Sequence, residues 1–259
     1  MPSTLAAASR IAVDLLPPVA RIQLRHPPLN VIDVPMMEEL AQALTELESQ
    51  PDVTIVLISG DGNAFSAGVD VAAHTPDKVE QMLDKFHGVI RSLVATKKVT
   101  IAKVHGHCLG GGAELTMVCD IVYTTEDAQW GFPEIKLGCY PPVACAALAA
   151  LVGQKRASEL ILTGRSINGK EAAQIGLATA AVAGDPHSAV EGCVNRLLQL
   201  SPATLAVTKK ALYAWDSIHF DKGLARAEKT YFEDLMKTAD APEGIRAFME
   251  KRPPKWTGQ

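Results

Sequence analysis

The N-terminal part of the chain alternates apolar and polar residues on both sides of Pro17-Pro18, over residues 11–16 and 19–26. Alternation with a period of two is typical of half-buried strands, and the two prolines mark a turn between them. This part of the sequence therefore predicts a β-hairpin, and the turn-rich segment HPPLNVID follows it.

Beyond the hairpin, helical spacing of apolar residues alternates with continuous β-branched runs. The helical spacing predicts helices over residues 35–48 and 78–94, whereas the continuous runs at 53–58 and 99–105 predict strands buried on both faces. Short strands are also predicted at 121–124, 128–132 and 178–182, and nearly everything else after Val143 has helical period. Strands separated by helices favour an α/β fold with crossover connections. The stretch 202–256 reads as helical, and we expect it to pack outside that core.

Composition and charge narrow the class of protein. The 259 residues are 47% hydrophobic and 21% charged, with a formal net charge of −4, so the chain can bury a large core and carries no basic excess for nucleic acid. The longest apolar run, residues 143–152, is too short to cross a bilayer, and MPSTLAAASR lacks the apolar core of a secretory signal. We therefore expect neither a membrane nor a nucleic-acid partner.

Five cysteines form an odd set without CxxC spacing and without histidines at metal-ligand intervals. They predict free thiols, most of them in the core, in a reducing compartment, and hence a cytoplasmic protein without zinc.

Two glycine-containing loops follow the buried strands. In GHCLGGG, residues 106–112, three consecutive glycines leave the backbone N–H groups of the following helix uncovered, which suits an anion or a polarised carbonyl oxygen but equally suits close packing. The loop AFSAGVD would emerge at the same end of a parallel sheet. N–H donors that converge from the two loops would form an oxyanion hole for an enolate.

Two glutamates stand next to these segments. Glu114 lies in the first turn after the three glycines among apolar neighbours, and Glu134 lies in the turn WGFPEIKLG. Each could be an ordinary solvated side chain or a carboxyl group with a shifted pKa.

Taken together, these segments resemble the crotonase, or enoyl-CoA hydratase/isomerase, superfamily over nearly the whole chain. The resemblance implies that AFSAGVD is the first oxyanion loop, with the Val69 amide as donor, and that HGHCLGGGAEL is the second, with the Gly111 amide as donor. It also implies that Glu114 and Glu134, twenty residues apart as in the hydratases, are the catalytic glutamates.

The resemblance further implies a spiral of ββα turns over residues 1–200 that binds acyl-CoA and carries the catalytic site, and a helical region over 201–259 for oligomerisation and as a lid over CoA. Trimers or dimers of trimers are expected, and no cofactor or metal, because coenzyme A is part of the substrate. The residues expected to contact substrate or CoA are Ala67, Gly68, Asp70, Tyr140, Phe248 and Lys251, the last two reaching the CoA of a neighbouring subunit.

One segment departs from the family pattern. Straight-chain hydratases usually have G-x-x-P-G-x-G-G after the second glutamate, whereas this chain reads GCYPPVA from Gly138. Proline and valine in place of glycine stiffen and thicken the expected wall of the acyl pocket, so an ordinary fatty chain is not expected. HPPLNVIDVPMMEEL resembles hydratases that act on cyclohexa-1,5-diene-1-carbonyl-CoA.

Several functions remain open at this stage. Hydration needs two groups, one to take a proton from water and one to supply a proton at Cα, whereas isomerases commonly use one carboxylate near Glu134. We therefore favour an acyl-CoA hydratase. An isomerase or another lyase of the superfamily is the alternative, and a catalytically silent CoA-binding paralogue is the alternative from another class.

Overall fold

The computed structural model describes residues 9–257, except for the side chains of residues 213–219. The start of the N-terminal stretch MPSTLAAASR lies outside the described residues. The strands are β1 (Ile11–Leu16), β2 (Val19–Leu24), β3 (Ile55–Gly60), β4 (Val99–Val104), β5 (His107–Leu109), β6 (Ile121–Thr125), β7 (Gln129–Gly131), β8 (Ser166–Asn168) and β9 (Ala180–Val182). The α-helices are α1 (Val34–Glu48), α2 (Val79–Ala95), α3 (Gly111–Met117), α4 (Pro142–Val152), α5 (Gln154–Thr163), α6 (Gly169–Gln174), α7 (His187–Leu197), α8 (Pro202–Glu233) and α9 (Asp240–Met249).

The strands form two sheets. The larger sheet has the order β1-β2-β3-β4-β6-β9, and the smaller one has the order β5-β7-β8. β1 pairs antiparallel with β2, and every later pair in the larger sheet is parallel. The predicted α/β fold is therefore confirmed, with helices on the crossovers between parallel strands.

Most local predictions agree with the structure, and the helix α1 shows why. Asp33 accepts a hydrogen bond from the Met36 N–H at the N-terminus of the helix, Pro35 lies in its first turn, and the apolar residues at helical spacing are buried. The hairpin, the second helix and the strands around residues 55, 100, 122 and 130 also match within about two residues.

Two short strands correct the prediction. The segment 106–112, expected to be a loop, contains β5, and β8 lies where helical period was expected throughout. Each has three residues, too few to show a period of two. Pairing with β7 from both sides holds them in the smaller sheet.

The prediction that the C-terminal helices pack outside the core is wrong for α8. Its residues Phe220, Leu224 and Tyr231 are buried in the same apolar cluster as the strands and α4. Lys209 of the same helix is buried as well, 2.8 Å from the Asp120 carboxylate. An ion pair of this kind needs a specific partner across the core, because a buried charge is costly when it is unpaired.

Among the described residues, no helix is both long enough and apolar enough to span a membrane.

Candidate active site

A cavity of about 450 Å³ lies between the two glycine-containing loops, α2, the 133–137 turn and α8. It contains both glutamates selected from the sequence, and its remaining walls are mostly apolar. Residues that line it are Ala67, Gly68, Val69, Val71, His74, Met82, Leu83, Phe86, Gly110, Gly111, Glu114, Pro133, Glu134, Lys136, Leu137, Cys139, Tyr140, Pro141, Pro142, Tyr231 and Phe248. A mostly apolar cavity with a few convergent polar groups is typical of a small-molecule site.

The two glycine-containing loops contact each other at this cavity. Ser66 forms a parallel bridge with Cys108 of β5, and a Cβ atom added to Gly111 would lie 3.3 Å from the Val69 nitrogen. Neither the Val69 N–H nor the Gly111 N–H donates to another atom of the described chain. Gly111 is the first residue of α3, where N–H groups have no partner within the helix. Two adjacent, unpaired donors can bind a single oxygen atom that carries negative charge.

The carboxylate of Glu114 is buried but has a hydrogen-bond donor. The side chain is 3% exposed, and its Oε1 accepts a hydrogen bond of 3.0 Å from the Ala144 N–H. That N–H belongs to the first turn of α4, which begins at Pro142, in the segment that departs from the family pattern. Burial raises the pKa of Glu114, whereas the N–H groups of Ala144 and Val143 lower it and so favour the charged form.

Glu134 lies in the turn after Pro133, and its carboxylate points into the protein. A Cβ atom on Gly110 would collide with Glu134 Oε1, so the glycine makes room for the carboxylate. Glu134 Oε2 is buried without a hydrogen-bond partner in the described chain. Burial, followed by the charge of Glu114, raises the pKa of Glu134. A buried polar oxygen that lacks a partner requires an explanation, and a bound substrate or water can provide one.

Almost the whole chain matches one protein family. Residues 17–259 fit the family model of enoyl-CoA hydratase/isomerase. The chain belongs to this family. A curated relative is the cyclohexa-1,5-dienecarbonyl-CoA hydratase of Thauera aromatica, 35% identical over 237 residues that cover 91% of this chain and 92% of that protein.

Two further comparisons agree with this membership. A probable enoyl-CoA hydratase of Bacillus subtilis is 34% identical over 260 residues, covering 97% of this chain and 99% of that protein. A crystal structure of an enoyl-CoA hydratase/isomerase from Xanthobacter autotrophicus has a TM-score of 0.84 at 31% identity, covering 94% of this chain and 97% of that one. The chain is thus an enzyme of the enoyl-CoA hydratase type with the crotonase fold.

In this member of the enoyl-CoA hydratase/isomerase family, the two glutamates of the site share one proton unequally. Two carboxylates that share a buried cavity repel each other, so one of them retains its proton well above the ordinary carboxyl pKa. The N–H groups of Ala144 and Val143 stabilise the Glu114 anion, whereas only its own backbone N–H lowers the pKa of Glu134, whose Oε2 has no partner among the described residues. The arrangement therefore favours a charged Glu114 beside a protonated Glu134.

Of the other residues predicted to contact substrate or CoA, four line the cavity and Asp70 does not. Ala67, Gly68, Tyr140 and Phe248 line the cavity. Asp70 instead accepts a hydrogen bond from Ala72 N and begins the short helical turn 71–74, with its side chain outside the described cavity lining.

Phe248 and Lys251 were both predicted to reach the CoA of a neighbouring subunit. Phe248 lines the cavity of its own chain with 52% of the residue exposed. Lys251 is exposed just beyond α9. A contact of either residue with a neighbouring subunit stays a prediction.

Several residues of the cavity were not selected from the sequence, among them His74, Cys139 and Tyr231. His74 follows the first oxyanion loop, Cys139 was assigned only to the core, and Tyr231 lies on α8. The His74 Nδ1 lies 3.0 Å from the Asp70 carbonyl oxygen, so this nitrogen carries the proton in the neutral ring. Burial lowers the pKa of His74. Only the sequence proximity of His74 to AFSAGVD could have indicated it.

Replacing Glu134 by Gln is expected to increase the free energy of unfolding, relative to the wild type, more at pH 8 than at pH 5. The pKa of Glu134 is higher in the folded protein than in the unfolded chain. Its contribution to the stability of the wild type is therefore fully present below the unfolded-state pKa, near 4.3, and is lost as the pH rises through the folded-state pKa. The amide side chain of the Glu134→Gln variant does not ionise. We expect the advantage of the variant over the wild type to grow by about 1–3 kcal/mol between the two pH values, because each unit of raised pKa is worth about 1.4 kcal/mol.

The measurement is thermal or urea unfolding of both proteins at pH 5 and pH 8. Glu80→Gln is the matched control, because Glu80 is exposed on α2 and should show no such pH-dependent gain. Equal stability differences at the two pH values would contradict a raised pKa for Glu134.

Proposed function

We propose that this enzyme adds water to the conjugated double bond of an enoyl- or dienoyl-CoA thioester, or catalyses the reverse dehydration. The observation that carries the proposal is the presence of two buried carboxyl groups in one cavity with the unpaired N–H groups of Val69 and Gly111. An isomerase that moves one proton between carbons needs only one such carboxyl group.

In the proposed reaction, the amides of Val69 and Gly111 bind the thioester oxygen. Charged Glu114 accepts a proton from the water whose oxygen attacks Cβ. Electrons of the double bond move toward the thioester, so negative charge develops on its oxygen as an enolate. Protonated Glu134 donates its proton to Cα, and the thioester carbonyl is restored. The unequal protonation of the two glutamates supports this division of roles.

For the acyl group, we propose a compact ring such as cyclohexa-1,5-diene-1-carbonyl-CoA. The 35% identical relative from Thauera aromatica carries that substrate in its name. Pro141 and Pro142 line the cavity, and Pro142 stands where straight-chain hydratases usually have a glycine, so backbone freedom is removed there. A rigid wall admits a six-membered ring more readily than a long alkyl tail.

A panel of thioesters tests this proposal. We expect hydration of the cyclic 1,5-dienoyl thioester to exceed that of crotonyl-CoA in kcat/KM, and kcat/KM to fall steeply beyond about six acyl carbons. A methylene group that the cavity excludes does not contribute the roughly 0.8 kcal/mol of free energy that its burial would give, which corresponds to about a fourfold change in kcat/KM. The assay follows the ultraviolet loss of the conjugated thioester.

Every assay in the panel includes a chelator, because the proposed polarising groups are N–H donors rather than a metal. Decenoyl-CoA hydrated as efficiently as the cyclic substrate would contradict the proposed acyl specificity. Isomerisation without hydration of any thioester would contradict the proposed reaction.

A homotrimer or a dimer of trimers, CoA contacts from Phe248 and Lys251, and a cytoplasmic location are further parts of the proposal. Phe248 at the cavity supports a CoA contact, and the four buried thiols support a reducing compartment. Sedimentation of the purified protein tests the oligomeric state.

A further inference from the structure

The inner wall of the cavity is formed by an aromatic residue from the C-terminal helix α8. Tyr231 lines the cavity and is 1% exposed, whereas Phe248, which lines the same cavity, is 52% exposed. Phe248 therefore borders the solvent-exposed part of the cavity, and Tyr231 belongs to its buried wall.

The ring of Tyr231 packs against another aromatic ring that lines the cavity, and its sequence neighbour Phe232 lies outside that lining. The ring of Tyr140 packs against that of Tyr231 at 5.1 Å between centroids with an angle of 64°, and the ring of Phe232 lies 6.0 Å away. Edge-to-face pairs of this kind add to the stability that burial alone gives. The position of Tyr140 is fixed by a 2.6 Å hydrogen bond that its hydroxyl donates to the carbonyl oxygen of Ala227. Ala227 lies on α8, one turn before Tyr231.

This wall has a defined position relative to the glutamate pair. Cys139 and Tyr140 directly follow the turn that carries Glu134, and the Cys139 N–H donates a 3.1 Å hydrogen bond to the Glu134 carbonyl oxygen. Tyr231 packs against Tyr140 and lines the cavity together with Cys139 and Glu134, so its ring lies against the segment that follows the Glu134 turn. The ring of Tyr231 is thus part of the buried wall of the cavity that holds Glu134.

From this arrangement we infer that Tyr231 is a specificity-determining residue, whose ring limits the depth of the acyl cavity and so the length of the acyl group. The inference rests on the proposed function, because it takes the bound molecule to be an acyl-CoA. It assigns the depth limit to an aromatic ring on α8, in addition to the wall of Pro141 and Pro142.

Binding of saturated acyl-CoA thioesters tests the inference without requiring turnover. Dissociation constants of butyryl-CoA and decanoyl-CoA are measured by calorimetry for the wild type and for Tyr231→Ala, Tyr231→Leu and Tyr231→Phe. We expect Tyr231→Ala and Tyr231→Leu to raise the affinity for decanoyl-CoA, relative to that for butyryl-CoA, at least tenfold. Each newly accommodated methylene contributes about fourfold in affinity. Tyr231→Phe keeps the ring and should leave the ratio within twofold of the wild type.

Phe232→Ala is the matched control, since it removes a ring of similar size from the next position of α8, outside the described cavity lining. An unchanged ratio in both Tyr231→Ala and Tyr231→Leu would overturn the inference, as would an equal shift in Phe232→Ala. If either Tyr231→Ala or Tyr231→Leu does not fold, the affinity ratio of the other variant tests the inference.

The same measurements separate this inference from the proposed function. A wild type that binds both saturated thioesters but hydrates no enoyl thioester would overturn the proposed reaction and leave the role of Tyr231 to be decided by the affinity ratio. A wild type that binds neither thioester would overturn both.

Discussion

Replacing Glu114 or Glu134 by Gln is expected to lower the kcat for hydration by about 10²- to 10⁴-fold, the range that general acid–base groups contribute. Gln is nearly isosteric with Glu but neither accepts a proton from water nor supplies one to Cα. Acyl-CoA binding should change little, because the cavity keeps its shape. The double variant should be about as slow as either single variant, since the two groups act in one proton-transfer sequence.

Steady-state kinetics with the best substrate of the panel, and the affinity for its saturated analogue, measure these effects. Glu80→Gln serves again as the control, because Glu80 is exposed on α2, and it should retain wild-type kcat. Near wild-type hydration by Glu114→Gln would refute the two-carboxyl mechanism. Hydration with Glu134 as the single acid–base group would then be the better interpretation.

Gly111→Ala is expected to lower kcat by about 10²- to 10³-fold, the loss typical when one oxyanion donor is displaced. The added methyl group would lie 2.6 Å from Val69 Cγ2 and 3.2 Å from Phe86 Cζ. Because Val69 carries the other donor on its own backbone, relief of this collision moves the two N–H groups apart. The carbonyl stretching frequency of a bound saturated acyl-CoA should then shift less from its value in water than it does with the wild type.

Gly88→Ala is the control for this substitution. It makes the same chemical change in the interior of α2, where an added Cβ meets no atom within 4 Å, so activity should be unchanged and stability somewhat higher. A Gly111→Ala enzyme with wild-type kcat and an unaltered carbonyl shift would show that the Gly111 N–H is not an oxyanion donor.

The sequence alone determined the local elements with strong periodicity and the residue types at the site. The hairpin, α1 and the buried strands β3 and β4 follow from patterns that extend over six residues or more. The two glycine-containing loops and the two glutamates were recognisable because each has a short, specific motif. The three-residue strands β5 and β8 were missed, since their pairing with β7 is a contact between distant segments and leaves no local pattern.

Only the tertiary structure decided how the two glutamates differ. Both are carboxyl groups in apolar surroundings, and the sequence allowed either to be an ordinary solvated side chain. The N–H of Ala144, thirty residues from Glu114, stabilises one anion, while Glu134 Oε2 is buried without a partner. Electrostatic differences of this kind depend on distances and burial, which a sequence does not contain.

The closed side of the cavity was likewise decided by the tertiary structure. Tyr231 belongs to a helix that the sequence indicated to lie outside the core, yet it is buried against Tyr140, 91 residues earlier in the chain. The sequence determined the family, the loops and the candidate acids because those features are local. The shape of the acyl cavity arises where α8 packs against the segment after Glu134, and packing between distant segments is determined only when the whole chain has folded.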